Sequence, residues 1–325
     1  MSSFGAKTNC EDVVHAFSSK VEGRTFLITG TSAKGLGAAA AIALAKAHPT
    51  QLILVGRTKS KVDPVIEDIV STDPKVKVTF VQCELSDFDS VRKAAKEILD
   101  NKDISKIDVV LNNAGIMGVK EYTKDKQGYE LQLSSNHLGH FLLTNLLLPK
   151  ILAAGSGSRI VNVTSRGHRI SPFRFNDYNF SDGKEYDPWS GYGQSKTANI
   201  LFSVELARRL ADKGIRAYAV HPGAILGTGL TANLSFEVFS DVPEIAKRNN
   251  GWESFSPLDV STFKSLSQGS SSLVAACLDP SFDAKSGGYV KHCQIDKALD
   301  YATDPENAKK LWSLSEELVG QKFEF

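Results

Sequence analysis

The stretch Thr29-Gly30-Thr31-Ser32-Ala33-Lys34-Gly35-Leu36-Gly37 follows a β-branched run and leads directly into an alanine-rich segment at 38–47. Glycines between a strand and a helix let the backbone turn sharply and approach a pyrophosphate, which then sits at the helix N-terminus. A merely tight turn is the alternative, but the position between strand and helix favours a dinucleotide. The contacts predicted for the turn are Gly30, Thr31, Ser32, Lys34, Gly35, Leu36 and Gly37.

Around this turn, short β-branched runs alternate with longer helical patterns. The runs lie at 25–29, 52–55, 76–81, 107–111, 160–164 and 216–220, and the helical patterns at 36–47, 61–71, 87–100, 128–148 and 192–211. Such alternation predicts an α/β fold with a parallel sheet covered by helices on both faces. No linker rich in Pro, Gly or Ser precedes residue 220, so we expect one domain over 1–325, with an N-terminal extension at 1–20.

The composition excludes several classes of partner. A net charge of +1 gives no global attraction to nucleic acid or to an anionic membrane, so we expect a small-molecule partner. The four cysteines have no paired spacing, which argues against disulfides and zinc and favours a reducing compartment. The N-terminus lacks a secretory signal, and the longest apolar candidate, 141–152, is too short and polar to span a bilayer. We therefore predict a cytoplasmic protein with no transmembrane segment.

The end of the second strand indicates which dinucleotide is bound. An NAD enzyme usually places an acid here for the ribose 2′-hydroxyl, whereas an Arg accommodates a 2′-phosphate. Arg57 offers a planar donor fork suited to phosphate, and Lys34 in the glycine turn could reach the same group. Two basic residues without the acid favour NADP(H).

Two further strand ends carry candidate cofactor contacts. Glu84-Leu85 closes the third strand, where Glu84 either holds an adenine edge or acts as a charge at a helix N-terminus. Asn112-Asn113-Ala114-Gly115 follows the fourth strand at the carboxyl edge, where ligands bind in such sheets. Its small residues suit close backbone approach, and an Asx-type turn is the alternative.

The fifth strand and the helices beside it supply candidate catalytic groups. Ser165 follows the strand at the same sheet edge, without the Gly-x-Ser-x-Gly elbow of a serine hydrolase. Tyr192-Gly-Gln-Ser-Lys196 places a phenol and an ammonium on one helix face, where the ammonium should lower the tyrosine pKa towards working pH. Asn136, an amide among apolar helix residues, needs a hydrogen-bond partner if it is buried. His137 and His140 nearby suggest a metal only weakly, since no acidic or cysteine partner accompanies them.

Taken in chain order, these motifs and His221-Pro222-Gly223 resemble the short-chain dehydrogenase/reductase family. Asn136-His-Leu-Gly-His-Phe and Tyr192-Gly-Gln-Ser-Lys-Thr-Ala-Asn are similar to its retinol-dehydrogenase-like branch, and within it to fungal reductases associated with secondary metabolism. The resemblance covers about residue 20 to the end. It implies a single Rossmann-type doubly wound sheet of about seven strands in the order 3-2-1-4-5-6-7, with a lid after strand 6.

The resemblance also implies a four-residue catalytic group and NADP(H)-dependent oxidoreduction of a carbonyl or alcohol. Tyr192 would be the general acid or base, Lys196 would lower its pKa and bind the nicotinamide ribose, and Ser165 would hydrogen-bond the substrate oxygen. Asn136 would organise a helix irregularity and a water that relays protons. No metal is implied. Together with the motifs above, the expected cofactor contacts add Arg57, Glu84, Leu85, Asn113, Ala114, Gly115, Tyr192, Lys196, Pro222, Gly223, Ile225 and Thr228.

Three departures from the family pattern affect these contacts. Four residues rather than three separate Gly30 from Gly35, so either the turn has an extra residue or Lys34 stands where a glycine is usual. Thr228 lies one residue beyond the usual threonine. Glu84 replaces the usual aspartate before leucine.

Residues 224–265 have weak periodicity and follow the sixth strand, which predicts a substrate lid. Its apolar side chains either line a pocket for a bulky hydrophobic ketone or aldehyde or pack the lid on the core; they are Leu226, Leu230, Leu234, Phe236, Phe239, Trp252 and Phe255. The alternatives in other classes are a non-catalytic NADP-binding sensor or scaffold, and an isomerase or dehydratase on the same fold. A homo-oligomer built on the helices at 128–148 and 192–211, as in many relatives, is also possible.

Overall fold

The computed structural model describes residues 4–225, 228–230, 239–251 and 263–325. Within these ranges the strands are β1 (Thr25–Thr29), β2 (Gln51–Gly56), β3 (Lys77–Gln82), β4 (Val109–Asn112), β5 (Arg159–Val163), β6 (Arg216–His221), β7 (Ala224–Ile225), β8 (Phe263–Lys264), β9 (Tyr289–Lys291) and β10 (Gln294–Asp296). The helices are α1 (Cys10–Ala16), α2 (Leu36–Ala45), α3 (Asp63–Thr72), α4 (Phe88–Asp100), α5 (Leu131–Leu133), α6 (Gly139–Leu146), α7 (Leu148–Ala154), α8 (Pro188–Arg209), α9 (Val242–Asn250), α10 (Leu266–Leu278), α11 (Asp300–Thr303) and α12 (Pro305–Val319).

The central sheet of the described residues has eight strands in the order β10-β9-β6-β5-β4-β1-β2-β3. From β3 to β9 all neighbours are parallel, which confirms the predicted α/β fold and the order 3-2-1-4-5-6-7. The strand beyond the predicted seven is β10, which pairs antiparallel with β9. His292 and Cys293 form the hairpin turn with φ values of 53° and 57°. Without an Asn-Gly or Asp-Gly pair, this turn has no hairpin signal in the sequence.

The predicted helix at 128–148 is the element that differs most from expectation. It consists of α5, a π-helical turn at Ser134–Leu138, and α6. α7 then begins at Leu148 with Pro149 in its first turn, where the missing N–H of proline costs no hydrogen bond. The π turn contains Asn136, at the position where a helix irregularity was expected.

Helices cover both faces of the sheet, as predicted. One face packs against α4, α6, α8 and α12, and the other against α1, α2, α3 and α10. Within the predicted N-terminal extension, Cys10, Val13 and Val14 of α1 are buried in the second of these cores. All four cysteines are buried and free. Among the helices described, none combines the length and apolar character that crossing a membrane needs.

The helix α12 lies across the outer faces of α6 and α8. The ring of Trp312 is centred 5.0 Å from that of Phe141 and 5.9 Å from that of Phe202. Arg209 places its guanidinium over Trp312 at 4.2 Å, and Ser315 hydrogen-bonds His137 Nε2 at 2.8 Å. The C-terminal segment thus seals one of the two cores.

Candidate active site

A cavity of about 1680 Å³ opens at the carboxyl ends of the parallel strands. Most of the predicted site residues line it: Gly30, Ser32, Gly35, Leu36, Arg57, Glu84, Leu85, Asn113, Ala114, Gly115, Ser165, Tyr192, Lys196, Pro222, Gly223, Ile225 and Thr228. Thr31, Gly37 and Asn136 are buried behind this lining, and Lys34 is exposed outside it. Of the predicted lid residues, Leu230 and Phe239 line the cavity, and Leu226, Leu234, Phe236, Trp252 and Phe255 lie outside the described residues.

The glycine turn brings the backbone of two loops into close contact. Gly30 has φ 74°, and a Cβ there would lie 2.7 Å from the Cα of Ala114. A Cβ on Gly37 would lie 2.6 Å from Asn113 Nδ2 and 2.7 Å from the carbonyl oxygen of Gly30. α2 begins directly after this turn, and Gly35 and Leu36 at its start line the cavity. The N–H groups that the first turn of a helix leaves without intrahelical partners therefore lie beside the cavity. These residues fit a dinucleotide, whose pyrophosphate needs this kind of backbone approach.

The extra length of the turn is accommodated at Lys34. The N–H of Gly35 donates to the carbonyl oxygen of Ser32 at 3.0 Å, which closes a four-residue turn with Lys34 in its third position. Lys34 has φ 64°, a conformation that glycine adopts more easily. Lys34 thus has the backbone conformation expected of a glycine at this point.

Arg57 lies at the end of β2, with its side chain 66% exposed at the edge of the cavity. Its guanidinium donates to Glu84 at 3.4 Å, and Glu84 also accepts from the hydroxyl of Ser86 at 3.0 Å. The N-terminus of α4 is capped by Asp87, whose side chain accepts from the N–H groups of Asp89 and Ser90. The two roles considered for Glu84 stay predictions. An exposed ion pair such as Arg57–Glu84 is weak, so the Arg57 side chain can exchange Glu84 for a phosphate group.

The segment after β4 is fixed from both sides. Asn113 Nδ2 donates to the carbonyl oxygens of Thr29 and Gly30 at 2.8 and 3.0 Å, which ties the segment to the glycine turn rather than forming a local Asx turn. Asn136 is fully buried; its Nδ2 donates to the carbonyl oxygen of Ile116 and its Oδ1 accepts from the N–H of Ile116. Asn136 Nδ2 also donates to the hydroxyl of Ser195 at 2.9 Å, so the predicted partners of Asn136 are the backbone of Ile116 and a side chain of α8.

Tyr192, Ser165 and Lys196 converge where β5 meets α8. The N-terminus of α8 is capped by Asp187, and Lys196 Nζ donates to the carbonyl oxygen of Val163 at 3.2 Å. Lys196 Nζ lies 5.6 Å from the centre of the Tyr192 ring. A Cβ on Gly115 would lie 3.3 Å from Lys196 Nζ and 3.1 Å from Asn136 Oδ1. The four predicted catalytic residues thus surround one edge of the cavity.

The pKa of Tyr192 is opposite in direction to the sequence prediction. Burial raises the pKa of Tyr192 to about 12, and its hydrogen bond with Ser165 only partly opposes this. Burial lowers the pKa of Lys196 to about 8. Desolvation is the largest cause for both groups and disfavours both charged forms, so the spacing to Lys196 does not lower the pKa of Tyr192 here. Tyr192 is therefore a neutral phenol in this structure.

An apolar wall faces the catalytic group. It comprises Met117, Ile170, Trp189, Phe239, Val242 and Ile245, all of which line the cavity. The rings of Trp189 and Phe239 are centred 4.8 Å apart, and that of Trp189 lies 6.4 Å from Tyr192. Sequence reasoning missed Trp189, although its position three residues before Tyr192 puts it on the same helix face.

The helix α9 carries part of this wall and is held to the start of α8 by polar contacts. Asn249 Nδ2 donates to the hydroxyl of Ser190 at 2.7 Å. Asn250 Nδ2 donates to the carbonyl oxygens of Arg169 and Ile170 at 3.1 and 3.0 Å. These contacts hold the wall both to the start of the helix that carries Tyr192 and to the turn at Arg169 and Ile170. Among the described residues, no group of three or more metal-ligating side chains is found.

A glycine-rich nucleotide cradle beside a Tyr–Lys–Ser group in a parallel sheet defines a nicotinamide-dependent class of protein. The short chain dehydrogenase family model matches residues 24–237. Oxidoreductase fscI of Fusarium equiseti is 35% identical over 68% of this chain and 94% of its own length. Retinol dehydrogenase 12 of Mus musculus is 33% identical over 94% and 89%. A crystal structure of an uncharacterized protein from Mycobacterium Paratuberculosis superimposes with a TM-score of 0.69 and 30% identity, covering 95% and 98%.

The chain belongs to the short-chain dehydrogenase/reductase family. It is therefore an oxidoreductase of a family that uses nicotinamide cofactors. Retinol dehydrogenases and fungal oxidoreductases among the relatives confirm the predicted branch.

Proposed function

We propose that this protein is an NADP(H)-dependent reductase that converts a ketone or aldehyde of a bulky hydrophobic metabolite to the alcohol. The observation that carries the proposal is the position of Tyr192, between Lys196 and Ser165 on one side and the apolar wall on the other. A substrate carbonyl at the phenol would thus have its apolar body against Trp189 and Phe239. Relatives named retinol dehydrogenase support a substrate of this character.

The residues of this chain would transfer the proton to the substrate. Bound NADPH would supply the hydride to the carbonyl carbon, and Gly30, Arg57 and Asn113 are among the residues that would hold it. Tyr192 would donate its phenolic proton to the carbonyl oxygen, while Ser165 hydrogen-bonds that oxygen. A neutral phenol, favoured by burial, is the form that this donation needs. Reduction is proposed as the forward direction because cells keep NADPH reduced. Lys196 would stabilise the phenolate that remains.

NADP(H) rather than NAD(H) is proposed from charge at the edge of the cavity. Arg57 lies where a ribose 2′-phosphate is read in dinucleotide folds, and Lys34 lies in the neighbouring turn. We also place the enzyme in the cytoplasm and in fungal secondary metabolism, and treat the lid at 224–265 as the substrate gate. The compartment, the metabolic context and the lid are proposed here as the sequence predicted them.

The test is NADPH oxidation followed by nicotinamide absorbance with all-trans-retinal and with pyruvate as a small polar control. We expect turnover with retinal and little with pyruvate. Tyr192→Phe should lower kcat by roughly a hundredfold to ten-thousandfold, because the general acid is lost. The variant should still bind NADPH, because the other cofactor contacts remain.

Tyr218→Phe is the matched control, since Tyr218 is a buried tyrosine on β6 whose hydroxyl donates to Phe282 O at 2.9 Å. It should keep the wild-type rate. Full turnover in Tyr192→Phe would reject the mechanism, and NADPH binding without turnover on any carbonyl would favour a sensor.

A further inference from the structure

His140 is a buried imidazole on the same helical run as Asn136, and its ring contacts Thr29 at the start of the glycine turn. It is 2% exposed and lies in α6. Its Nδ1 lies 3.1 Å from the carbonyl oxygen of Asn136, and its Nε2 lies 2.8 Å from Thr29 Oγ1. Because a carbonyl oxygen can only accept, Nδ1 carries the proton. Nε2 of the neutral ring must then accept from the hydroxyl of Thr29.

The hydroxyl of Thr29 has a complete set of partners in this arrangement. It donates its single proton to His140 and accepts from the N–H groups of Asn113 and Ala114, both at 3.0 Å. In the reverse tautomer, the hydroxyl oxygen of Thr29 would face three N–H donors, namely the two backbone N–H groups and the Nε2–H of the His140 ring. The observed contacts therefore select one tautomer of His140.

These bonds form a closed circuit around the segment that follows β4. Thr29 holds the start of the segment at Asn113 and Ala114, and the side chain of Asn136 holds its end at Ile116. His140 joins Thr29 to Asn136 and so closes the circuit. Gly115, in the middle of the segment, lies beside Lys196, since a Cβ built on it would be 3.3 Å from Lys196 Nζ.

We propose that His140, fixed as the Nδ1–H tautomer, is a positioning residue that sets Asn136 and Lys196 relative to the nucleotide turn. It touches neither substrate nor cofactor in this role and acts through Thr29 and Asn136. The kinetic part of the proposal rests on the proposed reductase function, whereas the tautomer does not. Burial lowers the pKa of His140 to about 4, so the ring is neutral near neutral pH.

The first experiment is NMR of the full-length protein labelled with ¹⁵N-histidine, with the His140 signals assigned by their loss in His140→Phe. We expect the proton on Nδ1 and an Nε2 signal typical of a hydrogen-bond acceptor. Thr29→Val should shift the Nε2 signal, because its donor is removed, and Thr29→Ser should leave it in place. A proton on Nε2, or no response to Thr29→Val, would overturn the proposal.

The second experiment compares His140→Phe with His137→Phe. His137 is a matched control, since it is also a buried imidazole in the same helical run, but its Nε2 hydrogen-bonds Ser315 of α12 and not Thr29. Both variants should lose similar thermal stability. Only His140→Phe should lower kcat with NADPH and all-trans-retinal, by roughly tenfold and with little change in KM.

Equal changes of kcat in the two variants would mean that His140 has only a structural role. Thr29→Ser should keep kcat where Thr29→Val lowers it, which separates loss of the hydroxyl from loss of packing. If the wild type reduces no carbonyl, the proposed function fails, and the NMR experiment still decides whether His140 closes the circuit.

Discussion

The two ends of the cavity are held by different kinds of contact. At the cofactor end (30–37, Arg57 and 113–115), main-chain atoms meet at distances that leave no room for a Cβ. At the substrate end (Met117, Ile170, Trp189, Phe239, Val242 and Ile245), apolar side chains from separate elements pack against one another. A main-chain site is specified by glycines and short motifs, whereas an apolar wall tolerates many side chains of suitable size. The cofactor end should therefore be intolerant of substitution and the substrate end adaptable.

The largest effect of substitution is expected at the cofactor end, where a methyl group is added to a glycine. Gly37→Ala should lower NADPH affinity by roughly a hundredfold, the consequence of about 3 kcal/mol of overpacking against Asn113 and Gly30. Gly229→Ala at the mouth of the cavity is the same change in open space, with nothing within 4 Å of its Cβ. Titration of NADPH fluorescence measures both. Equal affinities in the two variants would contradict this difference between the ends.

A smaller effect is expected from the charge at the cofactor end. Arg57→Ala should raise KM for NADPH roughly thirtyfold, as expected for one charge-assisted hydrogen bond to phosphate, and leave KM for NADH unchanged. Lys59→Ala is the control, because Lys59 pairs with Asp63 and does not line the cavity. A wild type that uses NADH as well as NADPH would remove the basis of the cofactor assignment.

The smallest effect is expected at the substrate end. Trp189→Ala should raise KM for all-trans-retinal roughly fivefold through loss of its aromatic contacts, with KM for NADPH unchanged. Trp189→Phe should recover most of the affinity, because a ring remains against Phe239. Steady-state kinetics with both substrates would show whether the change is confined to retinal; a larger change for NADPH would mean that the two ends are not separate.

The same difference explains which features the sequence could predict. The alternation of strands and helices, the glycine turn and the group around Tyr192 follow from local periodicity and short motifs, each of which is contained in one stretch of chain. The strand order came from the family resemblance that these motifs carry together. Trp189, Phe239 and Val242 come together only through the packing of α9 on α8, which no local pattern specifies. The hairpin at His292 was missed for a related reason, since its turn residues are not the usual ones.

The pKa of Tyr192 shows a further limit of sequence reasoning. The spacing to Lys196 was correct as geometry, but the direction of the shift depends on how much water surrounds the phenol. Burial is a property of all the surrounding elements. The circuit through His140 likewise depends on hydrogen bonds between segments that lie far apart in the sequence.

The packing of α12 has a consequence for the order in which a newly made chain can mature. Its residues leave the ribosome after every strand and catalytic side chain described above, yet Trp312 covers Phe141 and Phe202 on the two helical runs that carry Asn136 and Tyr192. Domains fold as units as they are synthesised, and exposed apolar surface on an incomplete one invites aggregation. A nascent chain that stops before α12 would thus present aromatic surface to chaperones, and the catalytic helices would reach their final packing only after translation has passed residue 319.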